Sequence, residues 1–285
     1  MLLLCASWGV NQAAAKFALT EIPPLTQAAA RSGLAALLVG AVALWRRPGL
    51  FASNGTLAGG LVCGLFFTLE FIALFVGLQW TTASHAILFL YSAPFFVALG
   101  LRFVAPDERL TRLQWLGLAL SFVGVALALG VDRVSRAQFL GDALSLLAAA
   151  FWAGSTLAIK GSKLRTAPAE KVLLYQLAMS AVASGAAAWL AGEAWPERLS
   201  PPVAFCFAYQ TVWVVCVTFF LWFRLIARYR AGELSAFTFL TPIVGVAAGA
   251  VLLGDPVTPG FLAAVALVAA GILLVNWPPR EAVPQ

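Results

Sequence analysis

Long apolar runs alternate along the chain with short polar breaks. The runs fall at residues 2–20, 25–45, 56–79, 83–104 and 113–131, and again at 138–160, 170–190, 203–226, 233–254 and 258–277. Each approaches the roughly 20 residues that carry an α-helix across about 30 Å of hydrocarbon. The breaks hold turn signals: Pro23-Pro24, Arg46-Arg47-Pro48, Pro106-Asp107, Pro168, Ser200-Pro201-Pro202 and Asp255-Pro256. Strands of a membrane barrel need only about ten residues and alternate in polarity, which these runs do not. The pattern predicts an all-α integral membrane protein with ten transmembrane helices.

Composition closes off the other classes. Of 285 residues, 62% are apolar and 11% charged, where soluble domains carry about 25% charge. A soluble globule could not hide that much apolar surface. The net charge of +6 could point to nucleic acid, but its placement argues for lipid. With the N-terminus inside the cell, thirteen basic residues face the cytoplasm: Arg46, Arg47, Arg102, Arg109, Arg112, Lys160, Lys163, Arg165, Lys171, Arg224, Arg228, Arg230 and Arg280. Only Arg133, Arg136 and Arg198 face the other side. That bias predicts both termini in the cytoplasm of a multi-pass protein, its cations set against anionic headgroups. No cleavable leader is evident, and the chain opens almost directly inside an apolar helix. Cys5, Cys63, Cys206 and Cys216 lie inside apolar runs without CxxC spacing, so they read as small buried hydrophobes. No phosphate loop, metal-ligand cluster or nucleophile–histidine–acid set occurs. ATP, a cofactor, a metal and enzymatic activity are therefore not expected.

The two halves echo one another. Trp8 and Lys16 match Trp152 and Lys160 at an offset of 144 residues, using two of the four lysines in the chain. Pro94 and Asp107 match Pro242 and Asp255 at 148, and Gly124 matches Gly271 at 147. The order is kept and the drift is small. Domain boundaries follow at 1–135 and 136–280, with a short cytoplasmic tail at 281–285. Five crossings per half is an odd number, so the second half enters the membrane from the other side. Such inverted repeats build many secondary transporters, with the substrate near the midplane where the halves meet.

Several segments carry a family resemblance. The paired WG/WA…K helices, the LTQAAAR opening of the second run, and the SAP…APDERLT and TP…LGDPVT segments resemble the drug/metabolite transporter superfamily. The match is to its EamA-type ten-helix exporters, most like the YddG-type aromatic amino acid exporters. The resemblance covers almost the whole chain. It implies a bacterial inner-membrane exporter of amino acids or related metabolites. It also implies a cavity lined by the fourth and ninth helices with the first, third, sixth and eighth, and peripheral fifth and tenth helices. Two departures stand out: Gln176 where the first half has Arg31, and Asp255 in place of the commoner glutamate.

Charge inside a bilayer costs about 3 kcal/mol per group, so each instance invites explanation. Glu70 lies deep in the third run. It reads as a proton-coupling group or as a structural partner of Arg31. His85, the only histidine, reads as a substrate hydrogen-bonder, a proton sensor or a helix-helix tie. His85, Leu88, Tyr91 and Ser92 can share one helix face. Pro94 and Pro242 free the carbonyls of Leu90 and Thr238, which makes them hinge or gating candidates, or kinks that fit the packing. Trp8 and Trp152 suit either the interfacial belt or stacking on a substrate side chain. Trp80, Tyr91, Tyr209, Trp213 and Phe239 are candidates for a pocket wall. Asn11, Gln12, Ser155 and Thr156 could hold an amino acid backbone or tie helices. Trp45, Trp115, Trp189, Trp195 and Trp277 belong to the belt. Lys16 and Lys160 snorkel or meet a substrate carboxylate. The Gly- and Ala-rich tenth run packs closely, within a monomer or in a weak homodimer.

These features predict alternating-access export of aromatic or bulky apolar amino acids across the cytoplasmic membrane, without ATP or nucleic acid. Proton coupling and facilitated passage both fit. The alternatives are efflux of cationic drugs and an intramembrane lipid-modifying enzyme.

Overall fold

The computed structural model describes residues 1–46, 49–50, 55–104, 111–131, 135–218, 221–222, 225 and 237–276. Outside them lie Pro48, Pro106, Asp107, Trp277, the basic residues Arg47, Arg109, Arg133, Arg224, Arg228, Arg230 and Arg280, the Arg102 side chain, and residues 281–285. The described residues are helical throughout the apolar runs. The first three spans are α1 (Leu2–Ala18), α2 (Pro24–Arg46) and α3 (Leu57–Leu78). The fourth is broken into α4 (Ala83–Leu90) and α5 (Ala93–Val104). The fifth to seventh are α6 (Arg112–Val131), α7 (Arg136–Lys160) and α8 (Ala169–Leu190). In the eighth, α9 (Pro201–Ala208) runs into a π-helical stretch, Tyr209–Val217. In the ninth, a 3₁₀ turn, Phe237–Phe239, leads into α10 (Leu240–Ala248) and a second π stretch, Gly249–Leu253. The tenth is α11 (Pro259–Val275). Five helices reach membrane-crossing length and composition outright; α9 with its π extension, the ninth span and α11 sit near 17 residues, the short end of the usual range.

Two breaks depart from the uniform runs read in the sequence. Pro94 has no N–H to return to Leu90, so the fourth span stops there and restarts at Ala93 with proline in the new first turn. The eighth span widens into π geometry, which has no simple local signature and recurs at functional sites.

Close approaches give each helix its direction. Gly117 of the fifth span faces the carbonyl of Gly271, where an added Cβ would sit at 2.7 Å; Gly124 faces the carbonyl of Ala264 at 2.8 Å. As one number rises the other falls, so the fifth and tenth spans are antiparallel. At the offset of 147 the two contacts are images of each other. The second and seventh spans are also antiparallel: Ser32 and Ser180 bond at 2.9 Å, and Gly40 meets Leu174. The first and ninth run parallel, Cys5 beside Phe237 and Gly9 beside Thr241 and Gly245. So do their images, the sixth and fourth: His85 meets Asp142, Tyr91 meets Trp152, and Val104 meets Gly161. These directions are those of two five-helix repeats related by inversion. The Ser32–Ser180 pair sets the offset here at 148, so the counterpart of Arg31 is Met179. Gln176 stands elsewhere, its amide nitrogen donating to Ser155 at 2.9 Å. Gly271 and Ala264 of the tenth span pack on the fifth, while Ala263, Ala266 and Ala270 face outward.

The α1–α2 and α8–α9 turns tie the halves at one membrane face. Glu193 accepts from the Thr26 backbone N–H at 2.8 Å and from its hydroxyl at 3.1 Å. Glu21 accepts from Ser200 N–H at 2.8 Å, at the start of α9. The Ser200 side chain, with its N–H, holds the Glu21 carboxyl below its usual range. A depressed folded-state value contributes stability above the unfolded value, and the contribution is lost as pH falls through the folded one. Glu21→Gln should therefore flatten the acid side of the stability profile and leave neutral pH nearly unchanged, as pH-dependent melting in detergent would read.

Candidate functional site

The break in the fourth span positions Tyr91. Its ring meets Trp152 of the sixth span edge-on, with centroids 5.7 Å apart and planes at 84°. It lies beside Thr241 of the ninth span. Tyr91 and Phe239 both pack against the core formed by Ile87, Leu88, Val246 and Phe261.

A second aromatic group gathers around Ser7 of α1. Tyr209 donates to the Ser7 carbonyl and Trp213 Nε1 to its hydroxyl, both at 2.9 Å. Trp8 Nε1 donates to Thr218 at 3.0 Å, and its ring meets Trp222 at 5.7 Å. Tyr91, Trp152, Trp8, Tyr209, Trp213 and Phe239 remain half-buried, so each keeps an accessible face. Trp8 and Trp152 thus each pack against another span while keeping an accessible face. Ser155 accepts from Gln176 and lies 3.3 Å from Cys63. Asn11, one turn from Trp8, has a buried Oδ1 with no partner.

Other residues singled out in the sequence lie apart. Trp80 is 45% exposed at the end of the third span and joins neither group. His85 is sealed: its Nδ1 bonds Asp142 at 3.0 Å, and Phe261 stacks on its ring at 4.5 Å and 6°. Thr81 donates to the same Asp142. Glu70 is buried near Arg31, and its neighbour Phe71 packs against the same apolar cluster as Trp152. Lys16, in the last turn of α1, donates its ammonium to the Leu78 carbonyl at the end of α3. Trp45 and Trp189 are over three-quarters exposed, as belt residues would be.

The α4 start is tied twice more. Thr82 caps it by accepting from His85 N–H at 3.1 Å, and Asp255 accepts from Ser84 N–H at 2.8 Å and from its hydroxyl at 2.7 Å. Carboxylates suit a helix N-terminus. Neighbouring residues Ser84 and His85 thereby lock the fourth span to the ninth and to the sixth. Asp142 is the buried acid at this junction that the sequence reading did not single out. An acid inside an otherwise apolar helix was the available signal. Thr81 donates to the carboxylate itself, and the ring is covered, so this is not a nucleophile–histidine–acid arrangement.

The EamA-like transporter family model matches residues 1–130 and 139–277. An uncharacterized transporter, YvbV, of Bacillus subtilis (strain 168) is 29% identical over 96% of this chain and 89% of its own length. A probable amino-acid metabolite efflux pump of Salmonella typhimurium is 26% identical over 96% of this chain and 92% of its own. A solved crystal structure shares the fold with a TM-score of 0.65 at 18% identity, covering 96% of this chain and 95% of that one. With both halves matched by one family model and ten helices in duplicated array, the chain belongs to the EamA-like transporter family.

Proposed function

We propose that this transporter exports aromatic or other bulky apolar amino acids, or related metabolites, across a bacterial cytoplasmic membrane by alternating access. The observation that carries the proposal is the pair of half-buried aromatic groups, Tyr91–Trp152 and Trp8–Tyr209–Trp213. They are supplied by spans of both halves (1–135 and 136–280). A seam between inverted repeats is where packing changes between the two open states. Aromatic faces there offer an apolar side chain about 0.5–1.5 kcal/mol per ring contact beyond its burial. The efflux pump named for an amino-acid metabolite supports the same class of cargo.

With both termini cytoplasmic, the Asp142–His85, Asp255–Ser84 and Lys16–Leu78 ties lie toward the outer side and hold it closed. The break before Pro94 and the 3₁₀ turn that precedes Pro242 are the hinges about which the fourth and ninth spans open. Glu70 is the titratable group through which a proton gradient would act, and His85 would join it once the outer closure opens. Cationic-drug efflux is the weaker alternative, because among the described residues neither aromatic group contains a carboxylate. A lipid-modifying enzyme would need an accessible catalytic cluster, and the His85 cluster is sealed.

Counterflow in proteoliposomes tests the proposal. Labelled phenylalanine or tryptophan should exchange, and Trp152→Ala should raise half-saturation about tenfold, the equivalent of one lost ring contact. Uptake of lipophilic cations alone would overturn it. The same exchange across a pH gradient, with Glu70→Gln and His85→Ala, reads the coupling.

A further inference from the structure

Arg31 is 5% exposed, about two turns into α2, on the face that meets the third and eighth spans. Its guanidinium lies over the Phe71 ring at 4.3 Å. Its Nε and Nη1 are sealed and bond to nothing. Gln27, one turn earlier, donates to the Ala15 carbonyl at 3.2 Å, yet its own Oε1 is sealed and unbonded. Glu70, 6% exposed, is near enough to attract Arg31 but forms no ion pair with it.

A buried arginine kept for architecture would be paired, since an uncompensated buried charge costs several kcal/mol. The repeat itself does not require one, because Met179 fills the inverted position. Arginine presents a planar fork that matches a carboxylate, and stacking on Phe71 fixes the plane of that fork. Two opposite charges that attract without pairing match a molecule carrying both.

We infer that Arg31 anchors the carboxylate of a zwitterionic cargo and that Glu70 faces its ammonium group. This deepens the transport proposal and rests on it. An amine would satisfy Glu70 and leave Arg31 unpaired; a simple acid would do the reverse. A site built around paired groups rejects the analogue that lacks one of them.

The test is counterflow of labelled L-phenylalanine, with unlabelled 3-phenylpropionate and phenethylamine as competitors. On the unmodified protein both should compete more than tenfold less well than phenylalanine. Arg31→Gln should raise half-saturation for phenylalanine more than tenfold and leave phenethylamine competition unchanged, with Arg31→Lys recovering part of the loss. Unchanged half-saturation in Arg31→Gln, or equal competition by phenethylamine and phenylalanine on the unmodified protein, overturns this site and leaves the transport proposal standing. Absence of exchange with any amino acid overturns both. If Arg31→Gln does not fold, the competitor series on the unmodified protein decides alone.

Discussion

Asp142→Ala should abolish counterflow and destabilise the protein by about 3–5 kcal/mol, the range for removing one partner of a buried pair. Asp142 is fully buried and accepts from both Thr81 and His85. Its removal leaves the imidazole N–H and the threonine hydroxyl facing apolar surroundings, with Phe261 over the ring. No water can replace the carboxylate unless the α4 start opens. The outer closure proposed above would then lose its link between the fourth and sixth spans. A transporter that cannot populate one of its two closed states stalls, because cargo shifts an equilibrium only between states that exist. Asp142→Asn keeps one acceptor and should cost only about 1–3 kcal/mol. Thermal unfolding in detergent and counterflow on the same preparations separate the two effects. Full exchange by Asp142→Ala would remove the cluster from the transport cycle.

Gly117→Leu should prevent the two halves from closing on each other. A Cβ at Gly117 would meet the Gly271 carbonyl at 2.7 Å, Leu274 Cβ at 2.8 Å and Val275 N at 2.9 Å. Two of these are backbone atoms, which cannot swing aside. Overpacking of this kind costs about 1–3 kcal/mol, and more where the backbone itself must move. In a membrane, close backbone approach is a main source of helix association, so the loss falls on the contact that joins the repeats. Gly33→Ala is the control: its Cβ would meet Ala181 at 3.7 Å, an ordinary contact. Gly33→Ala should behave as the parent protein in size-exclusion chromatography, while Gly117→Leu should elute as aggregate or fail to express.

Much of this was legible in the residues. Apolar length and proline punctuation set the ten spans, because hydrocarbon thickness leaves little choice. The paired prolines and glycines disclosed the duplication, and their odd spacing of crossings disclosed the inversion. What escaped was lateral contact. Nothing local says that the eighth span takes up π geometry, or that Trp8 points at Thr218 instead of the headgroups. The sequence leaves His85 open as a cargo ligand, a proton sensor or a helix-helix tie; the three-dimensional partners, Asp142 and Phe261, show it sealed in a tie between spans. Arg31 and Gln176 looked equivalent in position, and the Ser32–Ser180 bond shifts the register by three residues.

The most direct measurement is side-specific labelling of Ser7→Cys, with the four native cysteines replaced, in oriented proteoliposomes. Ser7 lies at the centre of the first–eighth span contact. A membrane-impermeant thiol reagent should reach it from either compartment, with phenylalanine raising the rate from one face and lowering it from the other. Reaction from one face only, unchanged by amino acid, would contradict alternating access.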